Sequence, residues 1–231
     1  MKTIGMIGGI GPESTVDYYQ SILKEYQRRR PDGNPPSILI NSIDLNRLRG
    51  CFEADDLHGA AAYLIDEVKK LVAAGADFGL ISANTPHIVF DEVQADCAIP
   101  LVSIVDATCA EVKRRALKKA GLLGTRFTMR ARFYRDGLSK QGITMVVPTE
   151  DEQDYIHEKY FGELVKGIFL LDTRAKILEI IGRMKEQDRT EAVILAGTEL
   201  PLLLRDASDP SLPLLDTTKI HVEATVDELL A

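Results

Sequence analysis

The sequence predicts an α/β protein of two pseudo-symmetric lobes, each a small, mostly parallel sheet flanked by helices, with a ligand cleft between the lobes. Short apolar runs alternate with longer helical patterns along the whole chain, which is typical of β-α-β units. Similar motifs also recur at nearly constant spacing: 116 residues separate Gly5 from Gly121, and 114 separate Ala83 from Gly197. This recurrence indicates two half-chains built on one plan.

The elements follow from runs of apolar residues and from the longer amphipathic segments between them. The predicted strands are Thr3–Ile7, Ser37–Ile43, Phe78–Ser82, Leu101–Val105, Ala120–Leu123, Ile143–Val147 and Ala192–Ala196. The predicted helices are Glu13–Arg29, Asp55–Ala74, Ala107–Lys119, Met129–Lys140, Asp151–Gly167, Thr173–Gln187 and Thr218–Leu230. Gly75 follows its helix as a glycine typically follows a helix end, and Gly121 comes after the Lys118-Lys119 end of another.

The domain division follows from the repeat. Residues 1–105 and 210–231 are predicted to form the first lobe, and residues 106–209 the second, with a joint near Pro100–Asp106. The final stretch is expected to return to the first lobe because Asp216-Thr-Thr follows a strand-like run, Leu212–Leu215. Ligands of such sheets bind outside the carboxyl ends of the strands, where both motif pairs lie. The cleft between the lobes is therefore the predicted site.

Composition limits the classes of function. The chain has 231 residues, 45% hydrophobic and 27% charged, with a net charge of −7 and a pI near 5.2. This acidity and the lack of a basic stripe argue against nucleic-acid binding. No apolar run reaches the roughly 18 residues of a membrane span, and the start shows no leader features, so we expect a cytoplasmic protein. Its three cysteines, Cys51, Cys97 and Cys109, show no CxxC spacing and predict neither a disulfide nor a metal site.

A glycine-rich turn, Gly8-Gly-Ile-Gly-Pro-Glu-Ser-Thr15, follows the first strand and opens a helix. The backbone at Gly9 and Gly11 can approach a ligand closely, and a helix start favours an anion. The dinucleotide fingerprint is incomplete because Ser14 takes the third small position and no acidic residue ends the second strand. A carboxylate-binding loop fits better, and a simple tight turn is the alternative.

Polar pairs stand at the ends of two strands, namely Asn84-Thr85 and Thr198-Glu199. Their side chains could hold the α-carboxylate or α-amino group of an amino acid, and Thr125 with Thr128 could do the same beside the second glycine motif. The alternative is that these residues only cap helices or shape turns. Their occurrence in register favours ligand contact.

Several charged or nucleophilic residues have two interpretations. Arg47 and Arg49, in a predicted loop after the second strand, and Lys166 could hold a distal carboxylate, although surface charge is the usual role of one such residue. His87 and His221 could act as bases, but a histidine in such a position more often has a structural role. Cys109, near a strand-to-helix junction, could be reactive or simply a small buried residue.

The motifs together resemble the aspartate/glutamate racemase family, amino-acid racemases that use no pyridoxal phosphate. The motifs that carry the resemblance begin at Gly8, Ala83, Gly121, Gly197 and Asp216 and occur in order over most of the chain. The resemblance implies two α/β lobes, an amino-acid or dicarboxylate ligand, no cofactor, and a homodimer. It also implies substrate contacts from Asn84, Thr85, Thr125 and Thr198, and, by a weaker alignment, from Arg47 or Arg49 with Lys166.

The chain departs from the family where the chemistry occurs. In the family one cysteine thiolate removes the Cα proton and a second thiol returns one on the opposite face. Those positions correspond to Ala83 and Gly197, neither of which is ionisable. We therefore keep three alternatives to racemisation by two thiols: a catalytically silent binding protein, an enzyme of altered chemistry that uses Glu199, His87 or Cys109, and a nucleotide-binding module.

Overall fold

The computed structural model describes residues 2–31, 33–205 and 211–231, so the predicted lobe boundary at residues 209 and 210 lies outside the described residues. The chain forms two compact units, Met1–Ala107 with Thr218–Ala231, and Thr108–Thr217. Each unit holds a four-stranded parallel sheet with flanking helices, which confirms the predicted fold class. Among the described helices, none is both long and apolar enough to cross a membrane.

The first unit is built on a sheet of order β2-β1-β3-β4. Its elements are β1 (Thr3–Gly8), α1 (Pro12–Arg29), β2 (Ser37–Ser42), α2 (Leu45–Glu53), α3 (Leu57–Ala73), β3 (Phe78–Ile81), a 3₁₀ helix (Thr85–Val89), α4 (Phe90–Ala95), β4 (Leu101–Val102), the start of α5 (Ile104–Arg114), and α11 (Thr217–Leu230). Burial of the strands on both faces explains why β1 and β3 are almost continuously apolar.

The C-terminal helix α11 contributes to the core of this first unit. Val222, Val226 and Leu229, spaced three and four apart, join a cluster with residues of β1, α1 and β3. The partners on those elements are Ile4, Met6, Tyr18, Ile22, Tyr26, Phe78 and Leu80. Side chains at this spacing share one face of a helix, so one face of α11 covers the sheet.

The second unit repeats the same strand order as β6-β5-β7-β8. Its elements after α5 are β5 (Lys119–Gly124), α6 (Arg126–Arg130), α7 (Phe133–Lys140), β6 (Thr144–Val146), α8 (Glu150–Gly162), a 3₁₀ helix (Leu164–Lys166), α9 (Leu171–Glu186), β7 (Ala192–Ala196), α10 (Leu200–Leu203) and β8 (Leu214–Asp216). A core of α8, α9 and strand residues, including Ile156, Tyr160, Ile177, Ile180 and Leu195, packs on the sheet.

The helix after β4 differs from its prediction. Strand β4 ends at Val102 rather than Val105, and α5 covers Ile104–Arg114, so Lys119 belongs to β5. The Ser103 hydroxyl accepts a hydrogen bond from the Asp106 amide at 3.1 Å, which starts the helix earlier than the apolar pattern indicated.

Other helices are divided or begin earlier than predicted. The predicted helix Met129–Lys140 is two helices because Ala131, with ψ of 161°, interrupts it. The predicted helix Asp151–Gly167 starts at Glu150, where Thr149 and Glu152 form a reciprocal capping box, and its last part is a separate 3₁₀ turn. The prediction for Gly75 is confirmed: its φ is 97°, and its amide bonds to the Val72 carbonyl.

Candidate active site

The carboxyl ends of β1 and β3 lie side by side in the first unit because the two strands pair in parallel, with Ile7 opposite Ile81. Ser82 fixes the chain just beyond β3, donating from its amide (3.0 Å) and its hydroxyl (2.8 Å) to the Ile7 carbonyl. Ala83 follows directly and is buried. The glycine loop and the Ala83-Asn-Thr segment therefore leave adjacent strands at one edge of the sheet.

The glycine loop is held by its own helix. Gly9 has a φ of 79° and Gly11 a φ of 105°, a region that favours glycine. The Gly9 amide donates to the Thr15 hydroxyl at 2.9 Å, and that hydroxyl donates to the Gly11 carbonyl at 3.0 Å. A Cβ on Gly9 would lie 2.7 Å from the Ile43 carbonyl oxygen. Packing alone therefore requires glycine at this position, and a ligand contact would be an additional role.

His87 is part of the framework behind Ala83. Its Nδ1 is 2.9 Å from the Ala83 carbonyl, and its Nε2 is 3.3 Å from the Ile104 amide, so Nε2 accepts and Nδ1 carries the proton. Burial, and secondly the neighbouring His221, lower the pKa of His87 to about 3. The ring also stacks on Phe90 with centroids 4.8 Å apart. A neutral imidazole with both nitrogens engaged has the arrangement of a structural histidine.

His221 has a matching environment on α11. The Tyr18 hydroxyl is 2.9 Å from its Nδ1, and its Nε2 is 2.9 Å from the Val102 carbonyl. Because a carbonyl only accepts, Nε2 donates and Nδ1 accepts from Tyr18. Burial lowers the pKa of His221 to about 4. This residue connects α1, α11 and β4 within the first unit.

The two arginines predicted to bind a distal carboxylate lie on helix α2, and the predicted loop is wrong. Asp44 caps this helix by accepting from the Asn46 (2.8 Å) and Arg47 (3.2 Å) amides. The Arg47 guanidinium lies 4.1 Å from the Tyr63 ring centroid, and Arg49 pairs with Glu53 at 3.3 Å. Both arginines therefore have partners within their own unit.

In the second unit, β5 and β7 end together because Gly124 pairs with Ala196. Thr125 follows β5 and caps α6, its hydroxyl accepting from the Thr128 amide at 3.2 Å and lying 3.2 Å from the Thr128 hydroxyl. Both threonines are buried. This role agrees with the interpretation that the two threonines cap a helix. Contact of either threonine with a substrate stays a prediction.

Gly197 follows β7 and lies against Tyr160 of α8. A Cβ on Gly197 would lie 2.6 Å from Cε2 and 3.1 Å from the hydroxyl oxygen of Tyr160. Gly197 has no positive φ, so its backbone conformation is open to other residues. The neighbouring ring, rather than the backbone, therefore restricts the side chain at this position.

Glu199 is a buried acid next to this contact. Its Oε2 accepts hydrogen bonds from the Tyr160 hydroxyl and, at 3.0 Å, from the Thr198 hydroxyl. Its buried Oε1 has no hydrogen-bond partner within the described part of the chain. Burial raises the pKa of Glu199, although its hydrogen bond with Tyr160 opposes the shift. Burial also raises the pKa of Tyr160 well above its ordinary value. The uncharged forms of both groups are thus favoured.

Lys166 and Cys109 lie in helices rather than in the loops at the strand ends. Lys166 is exposed and ends the 3₁₀ helix before Gly167, which has a φ of 71°. Cys109 is buried in the second turn of α5 rather than at its first residue. The description of a small buried residue fits Cys109 better than that of a thiol at a helix start.

Tyr160 is the feature of this region that sequence reasoning missed. It stands in line with Gln153 and Ile156 on the buried face of α8, so the sequence pattern identifies it only as a core residue. Its contact with Gly197 joins residues 37 positions apart and leaves no local signal. The Tyr160–Glu199 hydrogen bond could be found only from the fold.

Comparisons with known proteins agree with this architecture. The Asp/Glu/Hydantoin racemase family profile matches residues 7–225. The broad specificity amino-acid racemase RacX of Bacillus subtilis is 25% identical over 99% of this chain and 98% of its own length.

Two crystal structures have the same fold over the full chain. PH1733, an aspartate racemase homologue from Pyrococcus horikoshii, is 36% identical with a TM-score of 0.80 and covers 99% of both chains. A Yersinia pestis protein provisionally named an Asp/Glu racemase is 34% identical with a TM-score of 0.88 and covers 100% of both. The chain belongs to the Asp/Glu/Hydantoin racemase family.

Proposed function

We propose that this protein binds a small amino acid or dicarboxylate and does not racemise it by the two-thiol route. The observation that carries the proposal is the pair of residues at the two strand ends. Ala83 and Gly197 occupy the positions that the family resemblance assigns to the thiols, and neither has a group that exchanges protons. The names of RacX and PH1733 support an amino acid as the ligand class.

The nearby ionisable groups give little support to a replacement base. His87 has both ring nitrogens engaged and a pKa lowered to about 3, so it is neutral and its lone pair is in use. Cys109 is buried within α5. A general base needs a free lone pair within reach of the substrate proton. Glu199 is the remaining candidate, with one oxygen that has no hydrogen-bond partner among the residues that the structure describes.

Binding itself needs only hydrogen-bond donors and positive charge. Asn84, Thr85 and Thr198 are proposed to hold the α-carboxylate and α-amino groups, together with the backbone at Gly9 and Gly11. Arg47 is exposed, its guanidinium lies 4.1 Å from the Tyr63 ring centroid, and its planar fork of donors matches a carboxylate, so it is proposed to hold a distal carboxylate. This binding requires no metal and no cofactor, and we propose a homodimer in the cytoplasm.

The test combines calorimetry with α-proton exchange in deuterated water, followed by NMR. Aspartate, glutamate and a set of neutral amino acids are titrated into the protein, then incubated with it. We expect measurable binding of at least one amino acid and no exchange above the rate without protein. Asn84→Ala should weaken that binding by about 1 kcal/mol or more. Asn46→Ala, the same substitution at an exposed position of α2, should leave the binding unchanged.

Two results would contradict the proposal in different ways. If no amino acid binds, the ligand assignment is wrong. If the protein exchanges α-protons at an enzymatic rate, the site has altered chemistry, and loss of that exchange in Glu199→Gln with retained binding would assign the base.

A further inference from the structure

Position 197 has the space of a glycine only, and a single residue causes this. The three nearest heavy atoms to a Cβ built on Gly197 all belong to Tyr160, at 2.6, 3.1 and 3.2 Å. Real Cβ atoms do not approach other heavy atoms as closely as 2.6 Å, so any side chain at 197 would require the Tyr160 ring to move. Such overpacking strains side chains and backbone alike.

The Tyr160 ring is not free to move aside. Its hydroxyl donates to the Glu199 carboxylate, whose Oε2 also accepts from Thr198. The ring is buried in the core of the second unit with Ile156, Leu164 and Leu195 as members of the same cluster. Turning the ring away would remove one of the two hydroxyl donors to the buried Glu199 carboxyl and leave a void in the core, and both cost stability.

We propose that Tyr160, anchored by Glu199, occupies the space that a side chain at position 197 would need at the end of β7. Residues 160, 197 and 199 therefore act as one set: tyrosine at 160 requires glycine at 197, and glutamate at 199 holds the tyrosine in place. A side chain at 197, a thiol included, is compatible with this unit only after Tyr160 is replaced by a narrower residue. This packing of Tyr160 against Gly197 does not depend on whether the protein binds an amino acid.

Gly124 provides a matched control at the neighbouring strand end. A Cβ on Gly124 would lie 2.5 Å from the carbonyl oxygen of Ala196, which is backbone and cannot be cleared by changing a side chain. Gly182 on α9 is the opposite control, because a Cβ there meets no atom within 4 Å. Only the penalty at Gly197 should depend on residue 160.

The experiment measures melting temperatures of Gly197→Ala in three backgrounds: the natural chain, Tyr160→Phe and Tyr160→Leu. In the natural chain we expect a loss of about 5 °C. Tyr160→Phe loses the hydroxyl bonded to Glu199 but keeps the ring carbons that block the Cβ, so most of the loss should remain. Tyr160→Leu removes them, so the loss should fall to less than half. Gly124→Ala should lose the same in all three backgrounds, and Gly182→Ala should lose nothing.

An equal loss for Gly197→Ala with tyrosine and with leucine at 160 overturns the proposal, as does no loss in the natural chain. If Gly197→Ala does not fold in the natural chain, recovery of folding in the Tyr160→Leu background supports the proposal, and failure there overturns it. Tyr160→Met replaces Tyr160→Leu if the leucine variant is itself unfolded. In a crystal structure of Gly197→Ala, a Tyr160 ring still bonded to Glu199 overturns the proposal, and a displaced ring supports it.

Discussion

The first unit buries the imidazoles of His87 and His221 near its strand ends, whereas the second buries the Tyr160 phenol and the Glu199 carboxyl near its own. The two units share a strand order, so they are alike in backbone and different in chemistry. Burial favours the uncharged form of both kinds of group, but a base becomes charged as pH falls and a carboxylic acid becomes charged as pH rises. The duplicated architecture therefore carries opposite responses to pH.

The largest expected effect is acid destabilisation from the two histidines. Their pKa values in the folded protein, about 3 and about 4, lie below the ordinary value near 6.5. Below pH 6.5 the unfolded chain therefore binds protons that the folded chain refuses, and stability falls as pH falls towards those values. For His87 alone the loss by pH 4 is on the order of 3 kcal/mol.

Denaturant unfolding at pH 7 and pH 4 checks this prediction. His87→Gln, which can still donate and accept, should reduce the loss of stability between the two pH values. His58→Gln is the control, because His58 is exposed and pairs with Glu92. Equal losses in the natural chain and in His87→Gln would show that His87 is charged or accessible when folded.

The next effect in size concerns the two positions where a thiol is absent. Ala83 already has a Cβ, while a Cβ on Gly197 meets the Tyr160 ring. Ala83→Cys should therefore be nearly neutral, and Gly197→Cys should cost about 1–3 kcal/mol. Thermal melting of the two single variants measures the difference, and a larger penalty at position 83 would reverse the comparison.

The same asymmetry predicts how activity could be introduced. If the proposed function is right, Ala83→Cys with Gly197→Cys should fail to exchange α-protons or do so weakly, because Tyr160 fills the place of the second thiol. Adding Tyr160→Leu to this pair should raise the exchange rate. The measurement is deuterium incorporation into a bound amino acid, and equal rates with and without the change at 160 would refute it.

The smallest expected effect comes from Glu199. Burial raises its pKa, so between the ordinary value and the folded value the folded chain holds a proton that the unfolded chain has released. Stability therefore falls as pH rises through that window, the opposite direction to the histidines. Glu199→Gln should remove this dependence and change stability by no more than about 1 kcal/mol at pH 8. Unfolding curves at pH 5 and pH 8 test it, with Glu179→Gln on exposed α9 as the control.

The strands were predictable wherever burial on both faces left an uninterrupted apolar run. Strand β7 was predicted to the residue as Ala192–Ala196, and β1 to within one. Helix α2 was missed because its nine residues include only Leu48 and Phe52 as buried positions, and the Asp44 cap was the one local signal available. Short helices make few apolar contacts, so the periodic pattern that identifies longer helices is weak in them.

The strand ends that carry the candidate site were predictable from the sequence, and the contacts of their side chains were not. Strand ends in parallel sheets gather loops at one edge, so Ala83 and Gly197 could be found from motif spacing alone. The partners of the side chains could not, because Tyr160, Ile104 and Tyr63 are brought to Gly197, His87 and Arg47 by packing between distant elements. From sequence alone, a polar residue at a strand end fits a ligand-binding role and a helix-capping role equally well. Only its hydrogen-bond partner in the fold distinguishes the two.

The route of the chain through the two units has a consequence for synthesis. Helix α11 is made after the other elements of both units. It supplies Val222, Val226 and Leu229 to the core that includes Ile4 and Met6, and His221 to the partners Tyr18 and Val102. A nascent chain on the ribosome therefore completes the second unit, whose residues 108–217 are continuous, while the first still lacks a helix. The half whose translation begins first is therefore completed second, and part of its core stays uncovered until α11 has been made.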